Sequence, residues 1–355
     1  MTRLAALLLL LLLVSPVSAK SPAAEFAKRF ERAAAKKTPA SLVALAAWCR
    51  KKRLFAEERR SLERAQEIAP EDAKVKKKLA WLDARAARHR SRKTPWRVET
   101  EIVFVETNTS EAKLHHYAAM VGAFYERFSK VFGFRKPRAK TKTIGVKIFR
   151  TKADFIAYKA DQGEEADETT VGTYDPNRKE LALYEDSDPQ ETLDTLFHEG
   201  THLFVHLAWG EQGENLPAWL SEGIAEYFGP SRYDADARLL KYGFVSKNRL
   251  ERAQTLVKKQ RASLSRLLNR SFQEFDTDDY ALAWALTYML IEEVEPPPAG
   301  KKAKRKKSYV SRKAFLRAFA EILKGAKAKP TLIRAVGPLD ALEKRWHAFI
   351  RRSAK

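Results

Sequence analysis

Two histidines four residues apart, in His198-Glu199-Gly200-Thr201-His202, carry the first chemical signal in the chain. On a helix that spacing puts both imidazoles on one face, where they can converge on one metal ion. Glu199, beside the first histidine, can then face an attacking water as general base instead of binding the metal. A buried histidine pair satisfied by hydrogen bonds would have the same spacing, so the reading needs a third ligand. Glu222 is the candidate. Its neighbours Trp219, Leu220, Ile224 and Ala225 are apolar, and a carboxylate among them is costly to bury unless it is paired or ligates a cation. His198, His202 and Glu222 together would leave one coordination position open, as catalytic zinc requires. The expected cofactor is therefore Zn2+.

These residues need two helices to position them. Leu193, Leu196, Phe197, Leu203, Phe204 and Leu207 predict a mostly buried helix over 190–209, and Pro217 suits the first turn of another over 217–228. The polar turn from Gly210 to Asn215 can fold the second back, antiparallel, against the first. Upstream, Glu99–Glu106 (ETEIVFVE) and Thr143–Phe149 read as strands, with a helix over 110–132 capped by Ser110 and a short one over Ala153–Ala160. Val171–Tyr174 and Glu180–Tyr184 flank the turn-like Asp175-Pro176-Asn177-Arg178-Lys179 and read as two more strands. The remainder is mainly helical. Strands first and helices later indicate an α+β domain over 95–355. Residues 20–94 are rich in alanine, lysine and arginine, with apolar positions at helical spacing: Leu42, Leu45, Ala46 and Cys49 fit one stripe, Leu54, Leu62, Ala65 and Ile68 the next, and Ile68–Ala73, with Pro70, ends one helix and starts another. Trp48 and Trp81, 33 residues apart, resemble the period of tetratricopeptide helix pairs, about 34 residues. That segment is either a partner-binding module or a helical spacer.

The motif residues resemble a known family. HEGTH, followed after 19 residues by the glutamate of Trp219-Leu220-Ser221-Glu222-Gly223-Ile224-Ala225-Glu226-Tyr227-Phe228, is similar to the gluzincin (peptidase MA-like) metallopeptidases. More narrowly, the chain resembles bacterial DUF1570-type proteins, which combine a Tyr-Asp-Pro hairpin, HExxH and a WLxEGxAEY helix behind helical repeats. The resemblance implies a zincin-like domain with a small mixed sheet. It also implies that Glu226 orients a zinc-ligand histidine, although an intrahelical carboxylate is the competing reading. Tyr280 is the candidate for stabilising an oxyanion, with Tyr288 and Tyr227 as competitors. Glu180–Tyr184 would be the edge strand along which a substrate adds. His206 extends the histidine face, but Val205 stands where the metzincin pattern has glycine, so His206 is read as packing. His115 and His116 are read as structural.

The bulk properties bound the setting. The chain has 355 residues, 45% of them hydrophobic, which excludes global disorder. Arg3, the apolar run Leu4–Val14 and Ser15-Pro16-Val17-Ser18-Ala19 describe a secretory signal peptide over 1–19; an uncleaved signal anchor is the alternative. The expected location is secreted, periplasmic or cell-envelope. The single cysteine, Cys49, excludes an intrachain disulfide and reads as a small buried hydrophobe. A net charge of +22 favours anionic partners, among them a cell-envelope surface, while no specific nucleic-acid motif is present. Lys301–Lys307, after Pro296-Pro297-Pro298, reads as a basic loop spanning about 296–308. The expected function is an exported zinc metallopeptidase acting on peptides or proteins. The alternatives are a non-catalytic envelope-binding protein on a zincin scaffold and a zinc amidase acting on cell-wall peptides.

Overall fold

The computed structural model describes residues 22–134, 144–166, 170–292 and 312–352. Residues 1–19, expected as a signal peptide, and 296–308, expected as a basic loop, lie outside the described residues. No helix among the described residues is long and apolar enough to cross a membrane.

The chain divides into two compact units, the first running to Asp83 with Ala235–Ala237 added. It contains helices α1 (Pro22–Ala35), α2 (Pro39–Lys51) and α3 (Phe55–Ile68), and most of α4 (Ala73–Arg88). Leu42, Leu45, Ala46 and Cys49 of α2 meet Leu62 and Ala65 of α3 and Val75 and Leu79 of α4 in a separate apolar core. The stripe expected on α2 is thus buried throughout, while on the next Leu62 and Ala65 are buried and Leu54 and Ile68 only partly so. The Pro70 break also falls where expected, with the Asp72 carboxylate accepting the Lys74 and Val75 N–H groups at the start of α4. The division falls inside α4.

The second unit is α+β, built on a five-stranded mixed sheet. Its strands are β1 (Trp96–Glu99), β2 (Phe104–Thr107), β3 (Gly145–Phe149), β4 (Gly172–Asp175) and β5 (Glu180–Tyr184), in the order β1-β2-β3-β5-β4. β2, β3 and β5 run parallel, with β1 and β4 antiparallel at the two edges. The stretch Glu99–Glu106, expected as one strand, is a hairpin. The Thr100 hydroxyl accepts the Ile102 and Val103 N–H groups and turns the chain between β1 and β2. Glu180–Tyr184 is likewise not an edge strand. β5 is hydrogen-bonded by β3 on one side and β4 on the other, so the open edge belongs to β4.

Helix α5 (Glu111–Phe132) starts at Ser110, whose side chain accepts the Lys113 N–H, and ends at left-handed Gly133. Then come α6 (Lys152–Asp161), α7 (Pro189–Trp209) and α8 (Ala218–Phe228), with Asp188 capping α7 and Pro189 in its first turn. A two-stranded ribbon, β6 (Arg232–Asp234) and β7 (Leu239–Lys241), interrupts the expected helical remainder. After it come α9 (Lys247–Lys258), α10 (Leu264–Leu267), α11 (Thr277–Glu292), α12 (Arg312–Leu323), α13 (Ala328–Val336) and α14 (Leu339–Arg352).

Aromatic packing fixes the motif helix. Phe124 of α5 lies 5.1 Å from Phe197 and 4.8 Å from Phe204 of α7, and 5.4 Å from Phe228 of α8, between ring centroids. Each such pair adds about 0.5–1.5 kcal/mol beyond area burial. A Cβ at Gly200, inside the motif, would come within 3.0 Å of the Phe124 ring. The small residue therefore lets α7 approach α5 while its opposite face carries the histidines.

Candidate metal centre and active-site cleft

His198 and His202 project from α7 toward Glu222 on α8. Glu222 Oε2 stands 3.4 Å from His198 Nε2 and 3.6 Å from His202 Nε2. One ligand atom from each residue fits within a mutual spacing of 4.8 Å. Glu222 is only 8% exposed. Among the described residues, its ion-pair partners are these two imidazoles. Burial opposes the Glu222 charge, but His202 and His198 outweigh it and hold the carboxyl well below the usual range. For His198, burial again opposes the charge, and the Glu222 hydrogen bond with the nearby Glu199 and Glu226 raises it to about 9. A buried anion facing two imidazole nitrogens is a donor set that suits a borderline divalent cation such as zinc.

The outer nitrogens of both rings are also engaged. Glu226 Oε1 lies 3.5 Å from His198 Nδ1, and Ser221 Oγ lies 3.4 Å from His202 Nδ1. Such partners hold a ligating imidazole in the tautomer that turns Nε2 inward. Glu226 is in turn gripped by Arg249 of α9 at 2.7 Å to each oxygen. Neither Ser221 nor Arg249 was identified from the sequence. Arg249 sits in a basic amphipathic helix where no spacing distinguishes it from its neighbours.

The cluster opens into a cleft of about 590 Å³ lined by Glu199, the edge-strand residues Gly172–Tyr174, Ser221 and Tyr280 among others. Burial raises the Glu199 carboxyl, and the two histidines, with a smaller contribution from the Tyr174 backbone, oppose that. The base candidate thus shares the cleft with the edge strand β4. Tyr280, on α11, lines the cleft with its ring 6.4 Å from that of His198; burial and the nearby carboxylates push its hydroxyl up to about 12. The competing tyrosines are engaged elsewhere. Tyr227 is fully buried and donates to Glu292, and Tyr288 donates to the Gly243 carbonyl. His206 lines the cleft but lies outside the three-residue cluster, and burial lowers its pKa. His116 packs edge-on to Tyr233.

α8 reaches this position because Gly223 permits it. A Cβ there would stand 2.3 Å from Thr287 Oγ1 and 2.9 Å from the Ala283 carbonyl of α11. The glycine beside Glu222 thereby brings α8 and α11 together, and with them Glu222 and Tyr280.

Residues 192–296 match the DUF1570 family, described as a protein of unknown function. The chain carries a DUF1570 domain. No curated protein matches the chain. The DUF1570 match begins within α7 and contains His198, Glu199, His202, Glu222, Glu226, Arg249 and Tyr280. Every side chain assigned to the cluster and its immediate support therefore falls within the DUF1570 domain. The sheet, including the β4 edge, precedes it.

Proposed function

We propose that the protein is a zinc metallopeptidase of the gluzincin type, with a zincin-like second unit. The observation that carries the reading is the convergence of His198, His202 and Glu222 beside Glu199 in one open cleft. These three residues would hold the metal. When bound, zinc supplies Lewis acidity, polarising a carbonyl oxygen and making a water more acidic.

The chain's own residues do the rest. Glu199 accepts a proton from the attacking water and returns it to the departing amine. Its burial suits that role by lifting its basicity. Tyr280 stays protonated at neutral pH and is available to donate to the developing oxyanion. The open edge of β4 offers backbone groups to an extended peptide, which would add as a further strand.

The test is metal content together with peptide hydrolysis. Purified protein should hold about one zinc per chain. Glu199→Gln should keep that zinc while losing roughly 100- to 10,000-fold in hydrolysis of a broad peptide library. Protein that takes up no zinc on reconstitution would overturn the reading.

A further inference from the structure

Glu226 raises an electrostatic problem that the proposed metal site does not solve. Three carboxylates, Glu199, Glu222 and Glu226, crowd His198. A divalent cation balances two of them. Glu226 is the third, 8% exposed and one helical turn beyond Glu222.

Arg249 meets it with a two-pronged grip, Nε on Oε2 and Nη2 on Oε1, both at 2.7 Å. A guanidinium fork fixes the plane of a carboxylate, which a lysine ammonium does not. The oxygen held by Nη2 is the one 3.5 Å from His198 Nδ1. The same guanidinium lies over the Tyr280 ring at 5.6 Å from its centroid, within the range of a cation–π contact. One side chain from α9 thus touches a group on α8 and a group on α11, and both border His198.

Resting on the zinc reading above, we propose that Arg249 is a positioning residue. It locks Glu226 so that His198 presents Nε2 to the metal, and it braces Tyr280 at the same time. Arg249 contacts neither metal nor substrate. It acts through Glu226.

The experiment uses the full chain and measures zinc affinity by chelator competition for wild type, Arg249→Ala, Arg249→Lys, Glu226→Gln and the Arg249→Ala/Glu226→Gln double variant. The visible spectrum of the cobalt-substituted forms and the unfolding midpoint after metal removal are recorded alongside. Arg249→Ala should weaken zinc binding about 10- to 100-fold, the range for loss of a partner behind a ligand, and alter the cobalt spectrum. Arg249→Lys should fall between it and wild type, and it keeps the test open if the alanine variant folds poorly. In the Glu226→Gln background, adding Arg249→Ala should change zinc affinity little, because the route through Glu226 is already cut. Wild-type affinity and spectrum in both Arg249 variants, with only a lowered unfolding midpoint, would reduce the pair to a structural ion pair and overturn the inference. Additive losses in the double variant would overturn it too. Failure of the wild type itself to bind zinc would sink the underlying reading, and is seen separately.

Discussion

Glu222 is a carboxylate that the surrounding apolar residues would expel unless it were paired, and two imidazole nitrogens stand 3.4 and 3.6 Å from it. This makes the His198–Glu222 pair sensitive to pH in a definite sense. His198 is raised from an ordinary value of 6.5 to about 9. Its contribution to stability is therefore full below pH 6.5 and is lost as pH rises through about 9. Glu222 is lowered from 4.5, so its contribution is present above that value and is lost on acidification. Zinc needs the neutral imidazole and competes with the proton. We expect the unfolding midpoint of chelator-treated protein to fall between pH 6.5 and 9, while the increment added by zinc grows across the same interval. A zinc increment that stays flat there would contradict His198 as a ligand. Glu222→Gln should lose more zinc affinity than any supporting residue, more than about 100-fold, read by the same chelator competition.

At the scale of elements, the approach of α8 to α11 decides whether Glu222 and Tyr280 share a cleft. Gly223→Ala places a methyl against the Ala283 carbonyl and the Thr287 hydroxyl. Overpacking of this kind costs about 1–3 kcal/mol, measurable by urea unfolding, and the displaced helix should also bind zinc more weakly. Unchanged stability would show that the two helices have room to part. The sheet makes a parallel point. Read as segments, β4 and β5 are equivalent arms of a hairpin. Only the pairing of β5 with β3 leaves β4 at the edge, where Tyr174 lines the cleft with Glu199.

Across the whole molecule, the two units carry separate apolar cores, and the N-terminal one contains the chain's single cysteine. Cys49 is fully buried, and burial is the main cause that pushes its thiol up to about 11. Thiolate is the reactive form, so native protein should resist alkylation at pH 8 and become reactive only as this core opens. Following the modification through a urea titration by mass spectrometry would report the opening of the N-terminal unit. Rapid labelling without denaturant would contradict the packing of α2 against α3.

Local chemistry was readable from the residues themselves. Histidine spacing on one helix, a carboxylate stranded among apolar neighbours, the Ser110 cap and the stripes of α2 and α3 all follow from short-range periodicity, because a helix places neighbours by a fixed geometry. What sequence spacing does not encode is which segments meet over long distances. Thr100 turned one expected strand into two, and hydrogen bonding to β3 moved the open edge from β5 to β4. Arg249, 23 residues from Glu226 along the chain, became its partner only through the packing of α9. Those outcomes depend on strand pairing and helix packing between distant segments, and only the tertiary structure decides them.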